Sequence, residues 1–239
     1  FVYENGLKAV PSMASVIAWG AVRTGETGIN YLMVVHGEQG LVVHKPLPSA
    51  ATITADTRFT HCLDKGAGKG AVLVSETVIK NKANGEKLVT LTGSTFARGD
   101  GGFGGPSEGG PVPHTVPTRA PDQVVELTTR PDQALLYRLS GDRNPLHSDP
   151  NIAKMAGFPR PILHGLCTYG LTCRAVLQTY ADYDPAAITG HDVRFSSPVF
   201  PGETVVVALW KDGPIVSFEA RVKERDVAVI KNGKATLAA

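Results

Sequence analysis

A chain of 239 residues, 42% of them apolar, is long enough for one large domain or for two of roughly 100 to 150 residues, each with a core of its own. Its 24 basic and 22 acidic residues leave a net charge of +2 with no basic stripe, which argues against nucleic acid as the main partner, and no apolar run is long enough to span a bilayer. Cys62, Cys167 and Cys173 make an odd number with no C-x-x-C spacing, so neither a disulfide framework nor a zinc site is indicated and a reducing compartment is the simpler expectation.

In chain order, Pro11 to Arg23 predicts a helix, a short one containing Gly20. Pro46-Leu47-Pro48 then leads into three strand-like stretches, Ala51 to Leu63, Gly70 to Lys80 and Lys87 to Phe96, with Asn84-Gly85 as a hairpin turn. Gly99 to Pro121 is rich in glycine and proline around Gly101-Gly102-Phe103-Gly104-Gly105-Pro106, which predicts a connector. It lacks the Gly-Lys-Ser/Thr ending of a phosphate-binding loop. Gly165 to Ala181 carries Leu166, Tyr169, Leu171, Cys173, Val176, Leu177 and Tyr180 around most of its circumference, as suits a helix buried in a curled sheet. Pro198-Val199-Phe200-Pro201-Gly202 repeats the proline-marked start, followed by Thr204 to Trp210, Ile215 to Lys223 and Val227 to Ala238, with Asp212-Gly213 as a turn. The repeated order predicts two copies of one fold, residues 1–98 and 122–239, joined by a linker over 99–121.

Chemistry concentrates in the second copy. Asp142 and His147 lie five residues apart with Asn144-Pro145 between them, and the proline pushes Asn144 out of helical geometry, so the segment is a turn. Such a turn can gather a carboxylate, an amide and an imidazole round one water, which is a hydration site in outline. The plainer reading is a capped turn, because Asp and Asn bond their own backbone in loops. His164, at a helix start, reads as a capping or packing residue and stays outside the site. Cys167 and Cys173 read as core residues. The histidines occur singly, without metal-ligand spacing, so no metal is expected.

The string Leu139-Ser140-Gly141-Asp142, Asn144-Pro145-Leu146-His147 and Asp149-Pro150, with Ala156 following, resembles the signature of the MaoC-like (R)-specific enoyl-CoA hydratases, or hydratase 2. Pro161-Ile162-Leu163-His164-Gly165-Leu166-Cys167-Thr168 and Arg174-Ala175-Val176-Leu177 continue the likeness. Val35-His36-Gly37-Glu38-Gln39, Lys45-Pro46-Leu47-Pro48 and the Gly101–Gly105 run resemble the first part of the two-part hydratase 2 units of peroxisomal multifunctional enzymes and their bacterial relatives. The resemblance implies an α+β double hot dog, in which each half wraps an antiparallel sheet round a helix. It also implies reversible hydration of trans-2-enoyl-CoA to (3R)-hydroxyacyl-CoA, in fatty acid β-oxidation or polyhydroxyalkanoate precursor supply. Asp142 and His147 would hold the water, Asn144 would orient it, and the Gly165 backbone N–H would stabilise the thioester oxygen. Lys154 and Arg160 are candidates for the coenzyme A phosphates, and Glu4 matches a family glutamate serving either the site or the contact between halves; Glu38 has the same status. The first half, lacking the motif, is expected to shape an acyl-chain pocket. No cofactor is expected beyond the CoA of the substrate, and a homodimer is the family-level expectation. Phe1 in place of an initiator Met and the ending Thr236-Leu237-Ala238-Ala239, without a peroxisomal address, point to a trimmed bacterial cytoplasmic protein, or a peroxisomal one if that end is trimmed too. A hot dog thioesterase and a non-catalytic acyl-CoA-binding module are the alternatives.

Overall fold

The computed structural model describes residues 6–18, 20–21, 27–30 and 33–238. The first half contributes a helix α1 (Met13–Ile17) and strands β1 (Val34–Val43), β2 (Ile53–Asp64), β3 (Ala71–Asn81) and β4 (Lys87–Ala97). The second contributes β5 (Gln123–Thr128), helices α2 (Gln133–Tyr137), α3 (Pro150–Met155) and α4 (Gly165–Tyr180), then β6 (Ile188–Phe195), β7 (Thr204–Asp212), β8 (Ile215–Val222) and β9 (Val227–Leu237). The strands form one sheet in the order β2-β3-β4-β1-β6-β9-β8-β7-β5, every neighbouring pair antiparallel. Outward from the centre, β1-β4-β3-β2 mirrors β6-β9-β8-β7, so the duplication is written into the topology as a double hot dog.

Each of the six predicted strands forms, whereas β1, β5 and β6 were not anticipated. Val-Val-His-Gly-Glu-Gln-Gly-Leu-Val-Val in β1 and Ile-Thr-Gly-His-Asp-Val-Arg-Phe in β6 interrupt their apolar residues with glycine and charge, so local propensity is weak. Pairing supplies what propensity lacks. Those two strands are the seam between the halves, with Glu38 opposite Arg194, Gly40 opposite Asp192 and Val42 opposite Gly190.

Helix α4 matches its expected span to within one residue and is buried nearly all round, with Tyr169, Cys173, Ala175, Val176 and Leu177 at 2% exposure or less. Its first-half counterpart was expected over Pro11 to Arg23 but is helical only over Met13–Ile17. Ala18 leaves helical dihedrals at φ −94°, ψ 5°, and Gly20 turns the chain at φ +88°, a conformation few residues other than glycine adopt cheaply. Residues 19 and 22–26 lie outside the described residues. α1 packs against α4 and β4, and one continuous core joins Leu41, Ile79 and Val89 of the first half to Val207, Phe218 and Ile230 of the second. Within it, the hydroxyl of Tyr169 donates to the His191 carbonyl (2.8 Å), and Thr172 Oγ1 meets His191 Nε2 (3.0 Å).

Residues 99–121 hold no regular element, yet the connector is fastened down. The Asp64 carboxylate accepts the backbone N–H groups of Gly66 (2.8 Å), Gly102 (2.7 Å) and Gly104 (2.7 Å), and the Gly102 amide foremost holds it below the usual carboxylate range. The glycine-rich run thus cradles one of the protein's own carboxylates. Further on, Trp210 Nε1 donates to the Arg119 carbonyl (2.7 Å) and Asn232 Nδ2 to that of His114 (2.8 Å). Among the described residues, no helix is long and apolar enough to cross a membrane.

The seam is tightly built at Gly40, where a Cβ would stand 2.5 Å from both Asp192 Oδ1 and Thr92 Oγ1. Gly40→Val is therefore expected to lower stability by about 1–3 kcal/mol through overpacking, read as a drop in the urea midpoint; a midpoint equal to that of the unaltered protein would contradict this account of the seam.

Candidate active site

The turn after α2 is made by its own side chains. Asp142 Oδ1 accepts the Asn144 N–H (3.1 Å), and Asn144 Oδ1 accepts the Leu146 N–H (3.0 Å). Asn144 takes φ −52°, ψ 124°, outside the helical region as its proline neighbour requires, and caps a single 3-10 turn over Pro145–His147. Asp149 caps α3 in the same manner through Asn151 N–H (2.8 Å). The capped turn is therefore real, and it consumes one oxygen each of Asp142 and Asn144. Asp142 Oδ2 and Asn144 Nδ2 have no protein hydrogen bond among the described residues.

His147 is oriented from the opposite side. Its Nδ1 lies 2.8 Å from the Ile162 carbonyl oxygen, which can only accept, so Nδ1 carries the proton and Nε2 presents a lone pair in the neutral ring. Burial foremost lowers the His147 pKa, opposed by the Ile162 bond and by the charge of Asp142. A half-buried carboxylate and a neutral imidazole, both able to accept from one water, thus stand together.

His164, read from sequence as a capping or packing residue outside the site, is a packing residue, and it packs against this cluster. It is the N-cap of α4 but makes no side-chain cap; instead Nε2 donates to the Asp142 carbonyl (3.2 Å), and its ring stacks on His147 at 3.7 Å between centroids. Tyr137 closes the other side, 4.8 Å from the His164 ring. Only 1% exposed, His164 has its pKa lowered to about 4, by desolvation first and then by the neighbouring His147. Its Nδ1 has no hydrogen-bond partner. Two histidines 17 positions apart carry no joint signal in a sequence, since the contact exists only once the 158–164 segment folds back over the turn. Asp142, His147 and His164 each offer a ligand atom within 4.8 Å of the others, so they could together hold a small cation.

Gly165 opens α4, directly after His164. Its N–H has no protein acceptor among the described residues and sits at the positive end of the helix dipole. Nothing inside the fold demands glycine here: its φ lies outside the left-handed region, and a Cβ would meet the Phe195 ring at 3.4 Å, an ordinary contact. Leu166, Tyr137, Ser140 and Asp142 line a small cleft together with Val16 of α1, so the first half reaches the carboxylate. His36 of β1 contacts Phe195 as well, with ring centroids 4.8 Å apart.

The remaining predicted residues stand further out. Arg160 lies over the Phe200 ring (4.8 Å) and donates to the Pro201 carbonyl (3.1 Å), while Lys154 is exposed at the end of α3. Glu38 sits on the β1–β6 seam. Glu4 lies outside the described residues. The thiols of Cys167 and Cys173 are pushed up by burial to about 12 and about 11, consistent with core residues and not nucleophiles.

Comparison with known proteins extends this picture. Residues 113–233 match the MaoC like domain family, and residues 1–99 match the MFE-2 hydratase 2 N-terminal domain. The chain is 48% identical to enoyl-CoA hydratase ChsH3 of Mycobacterium tuberculosis, over 98% of this chain and 82% of that protein. It is 40% identical to the peroxisomal enoyl-CoA hydratase 2 of Arabidopsis thaliana, over 96% and 79% respectively. Among solved structures, full-length peroxisomal multifunctional enzyme type 2 from Drosophila melanogaster superposes with a TM-score of 0.85 at 39% identity, covering 96% of this chain and 41% of that one.

Burial lowers the pKa of His36 and His164 to about 4 and of His191 to about 3, against about 6.5 in an unfolded chain. Unfolding therefore takes up protons that the fold refuses, so the stability these groups contribute is complete above about pH 6.5 and lost as pH falls toward 4. Among the described carboxylates, Asp192, raised by burial, is the one that opposes this. The melting temperature is expected to fall between pH 7.5 and pH 4.5; scanning calorimetry showing an equal or higher value at the lower pH would refute it.

Proposed function

The chain belongs to the MaoC-like family in its two-part hydratase 2 form, and from that premise we propose that it is a hydro-lyase adding water reversibly to trans-2-enoyl-CoA to give (3R)-hydroxyacyl-CoA. The observation that carries this reading is the turn itself: Asp142 and Asn144 each commit one side-chain oxygen to the backbone, and His147 is fixed in the tautomer that leaves Nε2 an acceptor.

In this reading a water donates to Asp142 Oδ2 and to His147 Nε2, with Asn144 Nδ2 available to orient its oxygen. As the water oxygen bonds to the β-carbon, one of the two acceptors takes its proton, and the α-carbon receives a proton from the same pair. Delivery from one place puts both groups on one face of the double bond, which is syn addition. The electron pair displaced from the double bond passes through the α-carbon onto the thioester oxygen. There the Gly165 N–H meets it, a donor of a kind worth roughly 2.7–4 kcal/mol in a transition state. Acid-base assistance of this sort contributes typically about 10²- to 10⁴-fold. His164 supports both partners by bonding the Asp142 carbonyl and stacking on His147.

The acyl chain would leave the thioester beside Val16 and Leu166, giving the half without the motif a part in chain selection. Arg160, held in place on Phe200, and exposed Lys154 are assigned to the CoA phosphates; rates with crotonyl-CoA and crotonyl-pantetheine that differ only in KM would support this, and equal KM values would remove it. The outer sheet edges β2 and β5 are open for a homodimer, which sedimentation would reveal.

The assignment is tested with Asp142→Asn and Gly165→Ala. The first keeps shape and changes proton chemistry, so turnover of crotonyl-CoA should fall by about 10²- to 10⁴-fold with an unchanged melting temperature, the unaltered protein yielding the (3R) product on chiral chromatography. The second should lower turnover at least about tenfold while stability holds within about 1 kcal/mol, since alanine suits a helix better than glycine. Near-normal turnover by Asp142→Asn, or release of free CoA by the unaltered protein, would defeat the assignment.

A further inference from the structure

We infer that His36, delivered across the seam from the half that lacks the catalytic turn, is a positioning residue of the hydratase site, acting by holding the Phe195 ring against Gly165. The inference rests on the proposed hydration and adds to it a residue of the other half.

His36 lies near the start of β1, just before a bulge: the register with β4 shifts between His36 and Glu38. A bulge re-aims side chains at the end of a strand, and at Gly37 the chain runs so close to β4 that a Cβ would stand 2.7 Å from Ser94 Oγ. The His36 ring rests on Phe195 at 4.8 Å between centroids, tilted 53°, a favourable geometry for an aromatic pair. Phe195 ends β6 and in turn presents its Cε1 and Cζ 3.4 and 3.5 Å from where a Gly165 Cβ would be. The chain of contacts is therefore His36 to Phe195 to Gly165, from one half to the other and ending at the proposed oxyanion donor.

Two further observations agree. His36 is near enough to Asp142 for the carboxylate charge to act on it. Burial keeps the imidazole neutral at ordinary pH, so it forms a wall beside the carboxylate without competing for its charge. An aromatic wall set by strand pairing is rigid, and sub-ångström control of a donor matters because a misplacement of about 1 Å can cost roughly 10²-fold in rate.

The test is a double-mutant cycle on turnover with crotonyl-CoA, using His36→Ala, Phe195→Ala and the pair, with His36→Phe as the conservative replacement. We expect His36→Ala to lower kcat about tenfold with KM within about threefold and with an unchanged circular dichroism spectrum. Phe195→Ala should act alike, and the pair should be little worse than the worse single change, because both remove one contact. His36→Phe, which keeps a ring on Phe195, should recover most of the lost kcat. Additive losses, unchanged kcat in His36→Ala, or a His36→Phe as impaired as His36→Ala would each overturn the inference while leaving the hydratase reading intact. Absence of hydration by the unaltered protein would overturn both.

Discussion

The antiparallel pairing of β1 with β6 is the constraint on which the rest depends. It joins a four-stranded and a five-stranded unit into one sheet, builds a continuous core out of residues from both, and carries β1 residues alongside the second half's proposed site. Backbone hydrogen bonds do this, in strands whose side chains are poorly suited to it: two glycines in β1, one glycine and a half-buried aspartate in β6. Gly40 has no room for a side chain because Asp192 and Thr92 occupy the space, so the weak local propensity follows from the closeness of the approach.

The turn over Asp142–His147 illustrates how one set of atoms serves two ends. A carboxylate has two oxygens and an amide two polar ends, so bonding the backbone with one leaves the other. The reading of Asp142 and Asn144 as cap residues and the reading of them as site residues are thus compatible, and the first makes the second more precise by immobilising both side chains. Around them the three imidazoles of His36, His147 and His164 are kept neutral chiefly by desolvation. Neutral rings can stack at 3.7 Å, as His147 and His164 do, where two cations could not.

Much of this was legible from residues alone. Alternating apolar positions marked β2, β3, β4, β7, β8 and β9, and an all-round apolar helix marked α4, because both periods are set by local backbone geometry. The D-x-N-P-x-H string marked the turn through proline's effect on its neighbour. The parts that escaped share one cause. β1, β5 and β6 are strands by virtue of partners far away in the chain, α1 is cut short by the φ that Gly20 takes, and His164 looked like an ordinary helix-start residue until a backbone carbonyl 22 positions earlier was found on its Nε2.

The sequence by itself determined the duplicated α+β plan, the long buried helix, the capped turn and the identity of the residues in it, since these rest on interactions between near neighbours and on intrinsic dihedral preferences. Only the tertiary structure decided which way the halves join, that His164 and His36 enter the neighbourhood of Asp142, which tautomer His147 adopts, and that Gly165 is not required by the fold. Each of those depends on contacts between segments separated by 15 to more than a hundred residues, and such contacts are specified by packing and burial, which no local pattern records.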